Sequence, residues 1–253
     1  MKQQKTKKEK VDHEDVFFSI RQEIITGIER IPNETARREG LFAHYNIEGS
    51  QPPIFWCFNN WAESVFLAHW LGPDQPLFAM RSLHKILEGK SNKKIHNNYL
   101  AKEYSDLLLD IYPKGPIFIG GNCQAAPISE AMAHYLTEKT GSVPFLITLE
   151  HQPFYCYPGY LLMLFGTKSE KFNPFFYGES PIAGWNQKHF SPAWGIIDGQ
   201  HGGYFCAPCI HELVAYISKV MTSFIDNNVG LIGEIKLDSY SIPHSEASKV
   251  EGC

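Results

Sequence analysis

The seven-residue stretch GGNCQAA, residues 120–126, constrains the fold of this chain more than any other segment. It follows the apolar run 116–119 and precedes an amphipathic pattern over 127–139, which predicts a strand, a sharp turn and a helix. Gly121 and Ala125 flank Cys123 at two residues on either side, as the close passage of strand and helix in a nucleophile elbow requires. The pattern predicts a nucleophilic Cys123 whose thiol pKa is lowered by the adjacent helix N-terminus. A buried structural cysteine in a glycine-rich turn is the alternative interpretation.

Composition limits the classes of protein to which the chain can belong. Its 253 residues are 43% hydrophobic, so one domain can bury a large core. A net charge of −4 gives no indication of nucleic-acid binding, and no apolar run approaches the roughly 20 residues of a membrane span. The lysine-rich N-terminus lacks the apolar segment of a secretory signal. We therefore expect a cytoplasmic protein in which all cysteines are reduced, namely Cys57, Cys123, Cys156, Cys206, Cys209 and Cys253.

Sequence patterns divide the chain into four segments. Residues 1–13, with five lysines among the first ten, predict a disordered basic tail. Residues 14–50 predict a helical extension, with one amphipathic helix over 14–31 and a second short helix over 34–45. Residues 51–233 form the main domain. Residues 234–253 form a polar C-terminal tail.

In the main domain, predicted strands alternate with predicted helices. The strand patterns are apolar runs at 52–58, 77–80, 116–119, 143–149, 160–165 and 194–197. The helical patterns cover 62–71, 95–111, 127–139 and 207–224. This alternation predicts an α/β fold with a mostly parallel sheet and helices on both of its faces.

Three segments together resemble one known family. PPIFWCFNNWAESVFLAHWLGPDQPLFAM at 52–80, GPIFIGGNCQAAPISEAMAHYL at 115–136 and GWNQKHFSPAWGIIDGQHGGYF at 184–205 resemble the first core strand, the elbow and the histidine loop of the α/β-hydrolase thioesterases of nonribosomal peptide and polyketide synthases. The chain departs from the family pattern where Cys123 replaces the serine, where alanines replace the two glycines after the elbow, and where Asn-Asn-Trp-Ala replaces the glycine-rich oxyanion loop. The resemblance implies an α/β-hydrolase fold and an acyl-enzyme mechanism.

Candidates for the base and the acid follow from position and from this resemblance. His201 lies after the last strand and before the final helix, where an imidazole can reach the elbow, and its surroundings match the family's histidine motif. Glu150 stands 27 residues past Cys123 at the end of the next strand, where the chain-releasing thioesterases place their acid. The alternatives are Glu170, Asp198 or a site without an acid.

The oxyanion hole and the substrate pocket are assigned by position. We expect the backbone N–H of Gln124 to form the hole with a second N–H from the loop after the first core strand, at Asn59 or Asn60. Asn60, Trp61 and His151 are the candidates for substrate contacts. No metal site is expected, since the Cys206 and Cys209 pair lacks a second pair of ligands and is interpreted as two apolar cysteines at a helix N-terminus.

These patterns together predict a thioesterase-like acyltransferase or cyclase. The resemblance implies that an acyl, aminoacyl or peptidyl chain passes from the phosphopantetheine of a carrier protein onto Cys123 and then to an amine, carbon or thiol acceptor, with no bound cofactor. A hydrolytic thioesterase and an inactive partner-binding module are the alternatives. The connection at 151–159 is too short for the helical lid of the family, so the helix at 14–31 is the candidate for a cover over the site or for a homodimer contact.

Overall fold

The computed structural model describes residues 2–87, 93–153, 157–181, 191–226 and 233–237, with the side chains of the first helix described from Glu14 onward. The described strands are β1 (Arg37–Glu39), β2 (Phe42–Tyr45), β3 (Ile54–Phe58), β4 (Leu77–Arg81), β5 (Phe118–Asn122), β6 (Phe145–Leu149), β7 (Tyr160–Gly166), β8 (Ser191–Ile197) and β9 (Gly233–Glu234). The described α-helices are α1 (Lys2–Glu29), α2 (Trp61–Leu71), α3 (Lys93–Ile111), α4 (Ala126–Thr140) and α5 (Cys209–Ile225).

The strands form one sheet in the order β1-β2-β4-β3-β5-β6-β7-β8-β9. From β4 to β9 every neighbouring pair is parallel, whereas β1 and β2 add an antiparallel edge. Every residue of β3, β4, β5 and β6 is buried, which explains their unbroken apolar runs. The predicted α/β class is confirmed.

Helices cover both faces of the sheet. Gly121 of β5 faces Ser129 of α4, and the strand register places it on the same face as Trp194 of β8. Gly195, one position further along β8, faces Tyr216 of α5. Since successive side chains of a strand point to opposite faces, α4 and α5 lie on opposite sides of the sheet.

Residues 37–45 form a β-hairpin, so the second helix predicted over 34–45 is wrong. Gly40 has a φ of +63° at the turn, and β2 pairs with the edge of β4. Phe42, Ala43 and Tyr45 are buried there. The partner strand decides this structure, because a segment of this length gives too few turns for helical spacing to be distinguished from strand spacing.

The predicted helix at 14–31 corresponds to α1, which packs on the domain. Ile20, Ile24 and Ile28 are buried, and Phe17 stacks on Tyr99 of α3 with ring centroids 3.8 Å apart. The helix begins at Lys2 and so includes most of the segment assigned to a disordered tail. Lysine, glutamine and glutamate are good helix formers, which accounts for this difference.

The connection between β6 and β7 and the C-terminal segment can also be compared with their predictions. Only residues 150–159 separate β6 from β7, so this connection has no room for a helical lid, as the sequence predicts. Glu234, the first residue of the predicted polar tail, belongs to the short edge strand β9. The rest of that tail, 238–253, lies outside the described residues.

Candidate active site

Cys123 occupies a strained turn between β5 and α4. Its φ is +48°, a region that side chains other than glycine rarely adopt, and its N–H donates to the Leu149 carbonyl at 2.8 Å. A Cβ on Gly121 would meet Ser129 Oγ and would lie 3.0 Å from Ala126 Cα, so only glycine fits where the strand passes the helix. This is the elbow geometry that the small flanking residues predict.

His201 lies in the turn after β8, with its imidazole beside the thiol. Its Nε2 is 3.7 Å from Cys123 Sγ, within the range of a sulfur hydrogen bond, and its Nδ1 contacts Glu150 Oε2. The side chain is 44% exposed. Phe172 stacks on the ring with centroids 4.3 Å apart, a contact that no sequence pattern predicts. The imidazole therefore bridges the thiol and a carboxylate, with one face covered by an aromatic ring.

Glu150 is a buried carboxylate, with only 2% of its side chain exposed. It follows β6 with a φ of +54°, and its N–H donates to the Leu164 carbonyl at 2.8 Å. Its Oε1 accepts a hydrogen bond from the hydroxyl of Tyr204, a buried residue three positions after His201. Burial and the adjacent carboxylate both raise the pKa of Tyr204 well above its ordinary value, which keeps the hydroxyl protonated as a donor.

The two alternative acids lie in other surroundings. Glu170 is exposed on the segment after β7. Asp198 accepts a hydrogen bond from Thr167 Oγ1 at 2.7 Å and pairs with Lys168 Nζ at 3.0 Å. Of the three predicted acids, Glu150 is the one that contacts His201.

The thiol pKa contradicts the expectation from the helix N-terminus. Burial, first, and the carboxylates of Glu150 and Glu63 raise the pKa of Cys123 above its ordinary value, although the Gln124 N–H and Lys171 act in the opposite direction. The prediction of a lowered pKa is wrong, because desolvation and two carboxylates outweigh the Gln124 N–H and Lys171. The thiol is therefore protonated near neutral pH, and a nucleophilic role requires a base.

The loop after β3 differs from its predicted role in the oxyanion hole. The Asn59 N–H donates to Glu63 Oε2 at 2.9 Å, so it is directed at a carboxylate. Burial raises the pKa of Glu63, and the N–H groups of Asn59 and Asn60 and the Asn122 amide oppose that effect. Glu63 was not among the predicted site residues. The Asn-x-x-Glu spacing of a helix capping box, Asn60 to Glu63, was the available signal.

The three predicted substrate contacts are engaged with the protein itself. Asn60 caps α2, and its Oδ1 accepts from the Glu63 N–H at 3.0 Å. The Trp61 indole lies against Gly27 of α1, where a Cβ would be 3.0 Å from its Cδ1. His151 is mostly buried, and its Nε2 lies 2.9 Å from Glu130 Oε2 of α4. In the structure, Asn60 therefore acts as a helix cap, whereas Trp61 and His151 pack against other parts of the chain.

The CxxC motif is not a pair of equivalent thiols. Cys206 is disulfide-bonded, whereas Cys209 is free and its Sγ donates to the Asp198 carbonyl at 3.3 Å. The prediction that all six cysteines are reduced is wrong for Cys206. Among the described residues, no group of three or more His, Cys, Asp or Glu side chains is arranged to hold a metal ion. None of the helices in the described ranges is long and apolar enough to cross a membrane.

Comparison with known proteins gives one sequence relative and several structures. No model of a protein family matches the chain. A stretch of 115 residues, 42% of the chain, is 28% identical to Malpinin synthetase from Mortierella alpina, and the chain spans about 1% of the length of that protein. The NocB thioesterase domain from the Nocardicin cluster matches 72% of this chain and 98% of its own length, with a TM-score of 0.55 and 14% identity.

A second solved structure supports the same architecture. RedJ thioesterase from the prodiginine biosynthetic pathway in Streptomyces coelicolor matches 67% of this chain and 86% of its own length, with a TM-score of 0.51 and 11% identity. The chain therefore shares the α/β-hydrolase fold of these thioesterase domains, and the predicted fold is confirmed.

Proposed function

We propose that this chain is a thioesterase-like acyltransferase or cyclase that acts in natural-product biosynthesis. It takes an acyl, aminoacyl or peptidyl chain from the phosphopantetheine of a carrier protein onto Cys123 and passes it to an amine, carbon or thiol acceptor. The observation that carries the proposal is the alignment of Cys123, His201 and Glu150 at a strained elbow. The fold shared with thioesterase domains of the Nocardicin cluster and the prodiginine pathway supports the substrate class.

His201 is the general base in this proposal. With Nδ1–H donating to Glu150, the imidazole presents an unprotonated Nε2 to the thiol at 3.7 Å. As sulfur attacks the thioester carbonyl, Nε2 takes the thiol proton and the imidazolium is held by the buried carboxylate. The Tyr204 hydroxyl fixes the other oxygen of that carboxylate, so Glu150 keeps one orientation.

Acyl transfer then proceeds in two balanced steps. The tetrahedral intermediate collapses by breaking the carbon–sulfur bond to pantetheine, and the imidazolium returns its proton to that leaving thiolate. In the second step, His201 removes a proton from the acceptor as the acceptor attacks the Cys123 thioester. Cys123 leaves as a thiolate and is reprotonated. No bound cofactor or metal is needed for this balance, and the acyl donor is carried on phosphopantetheine.

The test is the intact mass of the enzyme after incubation with an acyl-loaded carrier protein. The wild-type chain is expected to gain the mass of the acyl group, and Cys123→Ala is expected to fold but gain none. Cys209→Ala is the matched control, since it removes another free cysteine and leaves the elbow intact. Acylation of Cys123→Ala equal to that of the wild type would refute Cys123 as the acyl carrier. A wild-type chain that gains no acyl mass from loaded carrier proteins would favour the inactive partner-binding module.

Hydrolysis is the second candidate, because the base is open to solvent. The His201 side chain is 44% exposed, and only residues 150–159 connect β6 to β7. Water can therefore reach the position of the acceptor. Product analysis separates the two candidates: transferred or cyclised product supports acyl transfer, and free acid as the main product makes the chain a hydrolytic thioesterase.

A further inference from the structure

A second carboxylate, Glu63 of α2, acts electrostatically on the Cys123 thiol together with Glu150. Its Oε2 accepts the Asn59 N–H at 2.9 Å and Asn122 Nδ2 at 3.2 Å, and its Oε1 accepts Asn60 Nδ2 at 2.8 Å. Asn59 and Asn60 are the loop after β3, which we name the oxyanion loop. Asn122 is the residue immediately before Cys123. One carboxylate therefore joins the oxyanion loop to the nucleophile elbow.

Other hydrogen bonds also join the oxyanion loop and its strand β3 to the nucleophile elbow. Asn59 Nδ2 donates to the Asn122 carbonyl at 3.2 Å, and Trp56 Nε1 donates to Asn122 Oδ1 at 3.3 Å. Asn122 is buried, with 6% of its surface exposed, so these contacts replace water that its polar atoms would otherwise bind. Glu63 is the carboxylate of this network, and hydrogen bonds to a carboxylate in its ionised form are roughly twice as strong as neutral ones.

We propose that Glu63 is a positioning residue, which clamps the oxyanion loop to the elbow and so fixes the donors of the oxyanion hole relative to Cys123. This inference rests on the proposed acyl transfer at Cys123. The clamp also sets the first turn of α2, where the N–H groups of Trp61 and Ala62 have no acceptor within the helix. Since Glu63 accepts hydrogen bonds from the donors of Asn59 and Asn60, the N–H groups of Trp61 and Ala62 are the next candidates along the chain for the oxyanion hole.

The charge of Glu63 also affects the pKa of the Cys123 thiol, an effect that packing alone would not produce. Cys123 faces Glu63 of α2, Glu150 after β6, His201 after β8 and Lys171 after β7. The Arg81 guanidinium of β4 acts on Glu63 in turn and opposes the rise of its pKa. Because Glu63 is among the groups that raise the pKa of the Cys123 thiol, its neutralisation is expected to lower that pKa.

Two reactions of the same thiol test the proposal. In alkylation by iodoacetamide, sulfur displaces iodide at a methylene carbon and no carbonyl oxyanion forms. In acylation by an acyl N-acetylcysteamine thioester, sulfur adds to a carbonyl and the oxyanion needs its donors. The ratio of the acylation rate to the alkylation rate, measured from pH 6 to 10, therefore reports the oxyanion hole after correction for the fraction of thiolate.

Glu63→Gln is expected to lower this ratio by about tenfold or more, since loss of one oxyanion donor costs about 10²- to 10³-fold and displacement costs part of that. The pH profile of alkylation is expected to move to lower pH. Glu34→Gln, the same change at an exposed position, is the matched control and should leave both unchanged. A ratio equal to that of the wild type overturns the positioning role, and an unmoved alkylation profile overturns the charge effect.

Glu63→Asp separates geometry from charge and serves if Glu63→Gln does not fold. It keeps the negative charge but shortens the side chain by one methylene, so the alkylation profile should stay while the ratio falls. An unchanged ratio in Glu63→Asp, with folding intact, overturns the clamp. A wild-type chain that is alkylated but never acylated would refute the proposed function itself, which is a different outcome from a failure of the Glu63 variants alone.

Discussion

Tyr204→Phe removes one hydroxyl from the buried side of Glu150 and tests whether that hydroxyl orients the carboxylate. Tyr204 is 3% exposed, and the side chain of Glu150 is 2% exposed, so water cannot readily replace the lost donor. A hydrogen bond to a charged group contributes about 1.5 to 3 kcal/mol to stability. For a chain of this size each kcal/mol shifts Tm by about 2 to 4 °C, so a fall of about 3 to 12 °C is expected.

The same change is expected to slow acylation of Cys123 by about tenfold, the equivalent of roughly 1.4 kcal/mol in the barrier, because Glu150 can then turn away from His201. Tyr157→Phe is the matched control. The Tyr157 hydroxyl is also buried, but it donates to the Pro144 carbonyl at 2.6 Å, remote from the base. It should lose some stability, with acylation unchanged.

The stabilisation by the Tyr204 hydroxyl is expected to depend on pH in the alkaline range. The pKa of Tyr204 is raised in the folded chain, so its protonated form contributes stability that is fully present below the ordinary tyrosine pKa of about 10. That contribution is lost as pH rises above this value, because the unfolded chain then ionises first. The difference in Tm between the wild type and Tyr204→Phe should therefore shrink above about pH 10. Calorimetry and acylation kinetics measure both effects, and equal Tm and rate in Tyr204→Phe and Tyr157→Phe would refute the reasoning.

Three further predictions concern the acid, the N-terminal helix and the nucleophile. Glu150→Gln should lower the acylation rate more than Glu170→Gln, which alters an exposed side chain, and the reverse order would move the acid to the segment after β7. Gly27→Val should clash with Trp61, cost about 1 to 3 kcal/mol of stability by denaturant unfolding and slow acylation, whereas normal kinetics would make α1 incidental to the site. Cys123→Ser should load more slowly and release more free acid relative to transferred product, because an oxoester loses the preference of a thioester for amine and thiol acceptors, and an unchanged product ratio would contradict this.

Local patterns made most of the fold predictable. The buried parallel strands need unbroken apolar runs, and the helices that cover them need one apolar face, so both leave a signal in a single stretch of sequence. The hairpin of β1 and β2 leaves no such signal. Its strands have three and four residues, and β2 is fixed by pairing with β4, which lies more than thirty residues later. In a segment as short as 34–45, apolar residues can match helical spacing by chance.

In the candidate site too, local sequence motifs were predictable and contacts between distant segments were not. Cys123 and His201 could be selected because each stands in a short motif at the end of a predicted strand, and the structure places their side chains together. Tyr204 lies only three residues after His201, but its contact with Glu150 depends on how two loops meet. The direction of the thiol pKa was beyond the sequence as well, since burial and carboxylates from two other elements determine it.

The raised thiol pKa changes how the proposed reaction must begin. A cysteine held as a thiolate would react with any electrophile that enters the site, whereas the carboxylates of Glu150 and Glu63 disfavour a further negative charge on Cys123. The negative charge on sulfur becomes favourable only as the proton reaches Nε2 of His201, whose imidazolium then lies between the sulfur and Glu150. Proton transfer and attack on the thioester are therefore coupled, and the oxyanion donors that Glu63 positions act at the same moment. In this mechanism the thiol reacts when a carbonyl is in place to receive its electrons.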